Sequence, residues 1–92
     1  MNEPSTALRI DKWLWQARFV RHRELVQRLL QERRVRLNNQ VVSKTHQLVR
    51  PGDVLTVTEP ARVRVLKVLA LGDRRGPATE ARVLYEELAA LD

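Results

Sequence analysis

Eleven of the 17 Lys and Arg side chains in this 92-residue sequence fall between residues 9 and 50: Arg9, Lys12, Arg18, Arg21, Arg23, Arg28, Arg33, Arg34, Arg36, Lys44 and Arg50. That stretch holds three acids, Asp11, Glu24 and Glu32, so its eleven cations leave a net of +8. Residues 51–92 are close to neutral, with six basic and seven acidic groups, and residues 1–8 carry only Glu3. Cations gathered in this way suit one kind of chemistry, the neutralisation of phosphates with release of their counterions. Like charges repel, so a small domain gains no stability from such segregation, and a polyanion-binding face accounts for it.

Other chemistries find little to work with. There is no cysteine, which removes disulfides, thiolate metal sites and thiol nucleophiles together. His22 and His46 lack the paired spacing of metal ligands. Glu86 and Glu87 are adjacent, hence on different faces of a helix, and do not form an acid/base pair. The Ser and Thr residues show no nucleophile-elbow context. No catalytic residue, metal or cofactor is therefore expected.

The chain length suits one domain, and 43% hydrophobic residues are enough for a folded core. No run approaches the roughly 18 apolar residues of a membrane span. Met1-Asn2-Glu3-Pro4-Ser5-Thr6 lacks the basic start and apolar run of a signal peptide, so a cytoplasmic location is expected. The apolar stripes are all needed for the core. That leaves no amphipathic face for a membrane surface and predicts a monomer.

The elements that must position the cations follow from periodicity. Ile10, Trp13, Leu14 and Ala17 make the i, i+3, i+4, i+7 stripe of a helix, with Lys12 and Gln16 pointing away. Trp15 lies off the stripe, between Lys12 and Arg18 in azimuth, where an indole can stack on a nucleobase or pack on a neighbouring element. A second helix is predicted with Leu25, Val26, Leu29 and Leu30 inward and Arg23, Gln27, Arg28 and Gln31 outward. Alternation then takes over: Val35 and Leu37, the turn Asn38-Asn39, and Gln40-Val41-Val42 read as a β-hairpin. After a turn at Pro51-Gly52, strands are predicted at Val54–Val57 and Val63–Leu69. A closing helix is predicted from Pro77 through Ala81, Leu84, Tyr85 and Leu88. The sum is an α+β domain: two N-terminal helices on a small, mainly antiparallel sheet, with a C-terminal helix.

Four stretches, Arg9-Ile10-Asp11-Lys12-Trp13-Leu14, Arg21-His22-Arg23, Val35-Arg36-Leu37-Asn38-Asn39 and Val49-Arg50-Pro51-Gly52-Asp53, resemble the RNA-binding domain of ribosomal protein S-four, the αL motif. The likeness covers residues 8–58 as a core, with 59–92 adding a strand and helix to the same domain. Asp11–Trp15 and the later Arg74-Arg75 and Ala78–Glu87 segments are similar to a ribosome-associated heat-shock branch of that family. The resemblance implies a non-catalytic module for structured RNA, ribosomal or transfer. It further implies association with the large ribosomal subunit and a part in recycling stalled translation under stress.

Carried over position by position, the resemblance makes Arg9, Lys12, Arg18, Arg21, Arg23 and Lys44 the RNA contacts, with Arg34 beside them. Trp15, His22, Asn38 and Gln47 are placed to read exposed bases or shape. The chain departs from the family pattern at four places. His22 stands where Ser or Thr usually caps the second helix, and Glu32-Arg33-Arg34 where Gly usually ends it. Asn39 closes the hairpin in place of Gly, and the basic tail of the heat-shock branch has no counterpart before Asp92. Weak DNA binding follows from charge alone. A helix-turn-helix reading fits less well, because the cations are spread over both helices and the hairpin.

Overall fold

The computed structural model describes residues 6–91. The segment through Ser5 and the terminal Asp92, on which the leader and the tail were read, lie outside them. The chain runs β1 (Leu8–Arg9), α1 (Ile10–Gln16), α2 (Leu25–Gln31), β2 (Val35–Leu37), β3 (Gln40–Val41), β4 (Leu48–Val49), β5 (Val54–Thr58) and β6 (Val63–Val68). It closes with α3 (Ala78–Ala81), a 3₁₀ turn (Arg82–Leu84) and β7 (Tyr85–Leu91). One antiparallel sheet has the order β3-β2-β5-β6-β7, and β1 pairs with β4 in a small second one. The predicted α+β class therefore holds.

Ile10, Trp13, Leu14 and Ala17 are buried as their spacing requires, against Val26, Leu30, Val35, Val49, Leu55, Leu66 and Val68. The Trp13 indole donates Nε1–H to the Ala70 carbonyl at 2.9 Å and stacks toward Phe19, with centroids 6.1 Å apart. Two expectations for the helices fail. Gln16 is 1% exposed, because residues 70–72 cross that side of α1 and the Leu71 carbonyl takes its Nε2–H at 3.0 Å. Leu25 is 41% exposed: α2 begins only at that residue, before the helix has turned its apolar face inward.

Both helices end in the same way. Arg18 and Arg33 sit at φ 65° and 58°. Phe19 N–H reaches the Leu14 carbonyl at 2.9 Å, and Arg34 N–H reaches that of Leu29 at 2.9 Å. These are Schellman closures, in which the left-handed residue is normally glycine. The hairpin turn is formed by Asn38 and Asn39 at φ 50° and 71°, the pair of positive angles that a two-residue type I′ turn demands.

The C-terminal part departs most from its helical spacing. Pro77 starts a helix as predicted, but α3 is a single turn, and Tyr85–Leu91 instead pairs along the whole of β6. Sheet pairing overrides local periodicity here, since β6 would otherwise present an open edge. The register shifts between Val65 and Leu66 as a β-bulge and leaves Leu88 unpaired. Leu88 is 49% and Leu91 61% exposed, so the premise behind a monomer, that no apolar surface is spare, does not hold. β7 is fastened from β6 by Arg64, whose Nη2 meets Glu87 Oε1 at 2.6 Å while its guanidinium lies 4.7 Å from the Phe19 ring centroid. Among the described residues, no helix is long and apolar enough to cross a membrane.

Two outcomes follow. Arg33→Gly relieves a left-handed strain of about 1–2 kcal/mol at the expense of unfolded-state entropy. Urea denaturation is expected to show a net gain of about 0.5–1 kcal/mol. The second concerns pH. The hydrogen bond from Arg64 holds the Glu87 carboxyl below its ordinary value. Its stabilising contribution is present above the unfolded-state value and disappears as pH falls through the folded one. Glu87→Gln is therefore expected to be less stable than the parent at neutral pH. Its stability should also fall less steeply between about pH 5 and 3, measured by thermal melts across that range.

Candidate nucleic-acid interface

The cations of the first helices are organised by one acid. Asp11, 8% exposed, opens α1, and its Oδ1 accepts the Lys12 backbone N–H at 2.8 Å. The same carboxylate takes Arg9 Nη2 at 3.0 Å and Arg23 Nη2 at 3.2 Å. Residues twelve apart from Asp11 and two before it thus converge on the start of α1. Carboxylate–guanidinium hydrogen bonds of this kind fix direction as well as charge. The side-chain heads stay accessible, at 49% exposure for Arg9 and 39% for Arg23.

Lys44 joins this group through the backbone. Gln47 N–H closes a turn onto the Lys44 carbonyl at 3.1 Å, and the Ile10 N–H in turn donates to the Gln47 carbonyl at 2.7 Å. The Thr45 carbonyl takes the Asp11 N–H at 3.4 Å. The turn therefore satisfies the first free amides of α1 and brings Lys44 and Gln47 against it. Gln47 is exposed and gives its Nε2–H to the neighbouring Leu48 carbonyl. Lys12 and Lys44 make no salt bridge among the described residues.

The other predicted contacts are placed differently. Arg21 and His22 are exposed in the turn that leads into α2. No side chain caps that helix, whose N-cap position is Glu24, two residues after His22. Arg21 also lines a largely apolar groove of about 800 Å³, together with Phe19, Leu25, Leu29, Val57 and Pro60. Arg34 is at the far end of α2, about 10 Å along its axis, and is held by Glu32 at 2.7 Å. Arg18 is likewise at the opposite end of α1 from Asp11, with its Nε–H on the Gly76 carbonyl at 2.7 Å. Neither lies with the Asp11 group. Asn38 is occupied structurally: its Nδ2–H goes to Asp53 Oδ1 at 3.1 Å and its Oδ1 takes the Val54 N–H at 2.9 Å. A base that read the Asn38 amide would have to share or displace these bonds.

Trp15 is half-buried, and a cation lies over it that sequence reasoning missed. The Arg75 guanidinium is 5.8 Å from the Trp15 ring centroid, and its Nε–H donates to the Trp15 carbonyl at 3.1 Å. A separation of sixty residues gives no periodic signal. The only sign in the sequence is the Arg74-Arg75 pair within a glycine-flanked loop. The role of Asp11 was equally hidden, because an acid in the first turn of a helix reads as a dipole partner.

Among the described residues, no three His, Asp or Glu side chains gather as a metal site.

With this geometry in place, comparison with known proteins is informative. The S4 domain model matches residues 8–55. Heat shock protein 15 of Escherichia coli K12 is 38% identical over 87 residues, covering 95% of this chain and 65% of that protein. The Haemophilus influenzae homologue is 36% identical over 80 residues, with 87% and 60% covered. A solved structure, the trimeric heat shock protein 15 of Vibrio cholerae, superposes with a TM-score of 0.83 at 32% identity and covers 90% of this chain and 83% of that one. The chain spans 60 to 65% of the length of the first two relatives. The match, taken with the two helices and hairpin that carry the cations, establishes that the chain belongs to the S4 domain family and, within it, to the heat shock protein 15 group.

Proposed function

We propose that this protein binds structured RNA, ribosomal or transfer, through the face organised by Asp11, and that it does so without catalysis. The observation that carries this reading is the convergence of Arg9 and Arg23 on one carboxylate beside Lys12 and the Lys44 turn. Two arginines fixed by one carboxylate, with Lys12 and the Lys44 turn beside them, suit contacts to a folded phosphate backbone better than a single inserted helix would. Arg21 and His22 extend the face toward α2, Gln47 toward the hairpin, and Arg18 and Arg34 form its outlying edges. The S4-type core at residues 8–58 supplies the contacts, and residues 59–92 brace it.

Membership of the heat shock protein 15 group supports a finer version. The RNA is then that of the large ribosomal subunit in the cytoplasm, and the activity is recycling of stalled translation under stress. The Vibrio cholerae relative is a trimer, and the exposed Leu88 and Leu91 on edge strand β7 support self-association here in place of the monomer expected above. Weak binding to duplex DNA accompanies this reading as a property of charge.

Arg21→Ala and Arg23→Ala are each expected to weaken binding to a structured ribosomal RNA fragment several-fold in fluorescence titration. The melting temperature should hold for the exposed Arg21 and fall for Arg23, whose loss leaves the buried Asp11 carboxylate short of a partner. The parent should show a logarithmic salt slope of about −3 to −4. Equal affinity for duplex DNA at about 150 mM salt would defeat the RNA assignment. A sharper outcome concerns Asp11→Asn. It adds one unit of positive charge, yet it frees Arg9 and Arg23 from their fixed directions. Binding is expected to weaken several-fold despite the added charge, with a stability loss of about 1–3 kcal/mol. Tighter binding would mean that the carboxylate competes with RNA.

A further inference from the structure

We propose that Trp15 and Arg75 form a shelf on which one unpaired RNA base stacks, which makes RNA with an extruded nucleotide the preferred ligand. The proposal rests on the RNA-binding reading and goes beyond it to the class of RNA. Of the two tryptophans, Trp13 is fully buried with its N–H consumed, whereas Trp15 is half-buried and stands off the core stripe. Arg75 is fastened to it twice, through the Nε–H on the Trp15 carbonyl at 3.1 Å and through the ring at 5.8 Å. A guanidinium held in this way is a pre-oriented planar cation.

Its charge is not compensated. Arg74 next to it is paired with Glu80 at 2.7 Å, but Arg75, itself half-buried, forms no salt bridge among the described residues. Lys12 and Arg18, three residues either side of Trp15, form none either, and Asp73 in the same loop reaches none of them. A guanidinium over the indole with no carboxylate partner, and unpaired Lys12 and Arg18 on either side of Trp15 in the chain, favour an anionic ligand. The partial burial of Lys12 and Arg75 raises the cost of leaving those two unmatched. Phosphate alone needs no planar partners. A base attached to a phosphate uses both, since indoles and guanidinium planes each stack on bases. Within a duplex the base faces are covered by their neighbours, so the base must be unpaired. The position extends the Asp11 group along α1 toward its C-terminal end, so one RNA can occupy both.

The test uses the full chain and two RNA hairpins of equal length at about 150 mM salt. One carries a single bulged 2-aminopurine and the other is fully paired. The bulged hairpin is expected to bind about tenfold more tightly, with quenching of the 2-aminopurine as it stacks. Arg75→Lys keeps the charge but loses the plane, and is expected to abolish the preference while leaving the paired hairpin bound as before. Trp15→Leu should do the same if it remains folded. Arg23→Ala should weaken both hairpins equally and keep the preference. The proposal is overturned if Arg75→Lys retains the preference, or if the 2-aminopurine signal is unchanged on binding. It is also overturned if Arg75→Lys lowers the melting temperature and both affinities alike, which would make the pair only a latch for the loop. Failure of the parent to bind either hairpin would instead overturn the RNA reading itself.

Discussion

A seven-residue helix does not hold itself together in water, and α1 is such a helix. Its existence depends on burial of Trp13, whose indole is enclosed by the core and tied by Nε1 to the carbonyl of Ala70 beyond β6. Burying so large a ring stabilises by roughly 2–3 kcal/mol, and its hydrogen bond prevents the N–H from being stranded. Everything that projects from α1, including Asp11, Lys12 and Trp15, takes its direction from that anchor. The same anchor explains why the sheet reaches beyond the S4-matched region. Without β6 and the segment after it there would be no acceptor for Trp13, and no Leu71 carbonyl for the buried amide of Gln16.

The electrostatic arrangement follows a consistent division. Every ion pair among the described residues steadies an arginine, and Arg64 takes both Glu59 and Glu87. Asp11 serves Arg9 and Arg23, Glu32 serves Arg34, Glu80 serves Arg74, and Glu87 serves Arg64. Arg64 is the structural member of this set. Its side chain is only 15% exposed, it lies against Phe19 and Tyr85, and its ionised form is favoured still more by Glu87. The unpaired cations on and around α1 remain as surface charge. The more exposed pairs of Glu32 and Glu80 contribute little to stability and chiefly orient their arginines, whereas the sheltered Asp11 and Arg64 pairs both orient and stabilise. A carboxylate that fixes two guanidinium groups lowers the entropy they would lose on meeting a phosphate.

The first half of the fold was legible because its signals are local. Ile10, Trp13, Leu14 and Ala17 repeat with the helix, Val35 and Leu37 alternate, and Asn38-Asn39 has the residues a tight turn requires. What escaped depends on contacts between distant segments. Gln16 reads as outward until residues 70–72 cover it, and the neighbour of Trp15 stays unnamed until Arg75 arrives from sixty residues away. Tyr85 and Leu88 carry helical spacing, yet an unpaired edge of β6 is a stronger requirement than the weak preference of a short segment for helix. The site follows the same pattern. Its cations could be counted in the chain, but their convergence on Asp11 is a property of how α1, the turn before α2 and the Lys44 turn meet.

The two left-handed arginines show how local strain and function are balanced here. Glycine at Arg18 and Arg33 would relieve backbone strain at each helix end, but it would remove two cations from the most positive stretch of the chain. At Arg18 part of the strain is offset, because the side chain reaches the Gly76 carbonyl and pins the loop that presents Arg75. Strain at that residue is thus coupled to the placement of a second cation beside Trp15. Arg33 has no side-chain hydrogen bond of this kind among the described residues. Its strain therefore has no offset from a side-chain hydrogen bond, which is why glycine is expected to stabilise at Arg33.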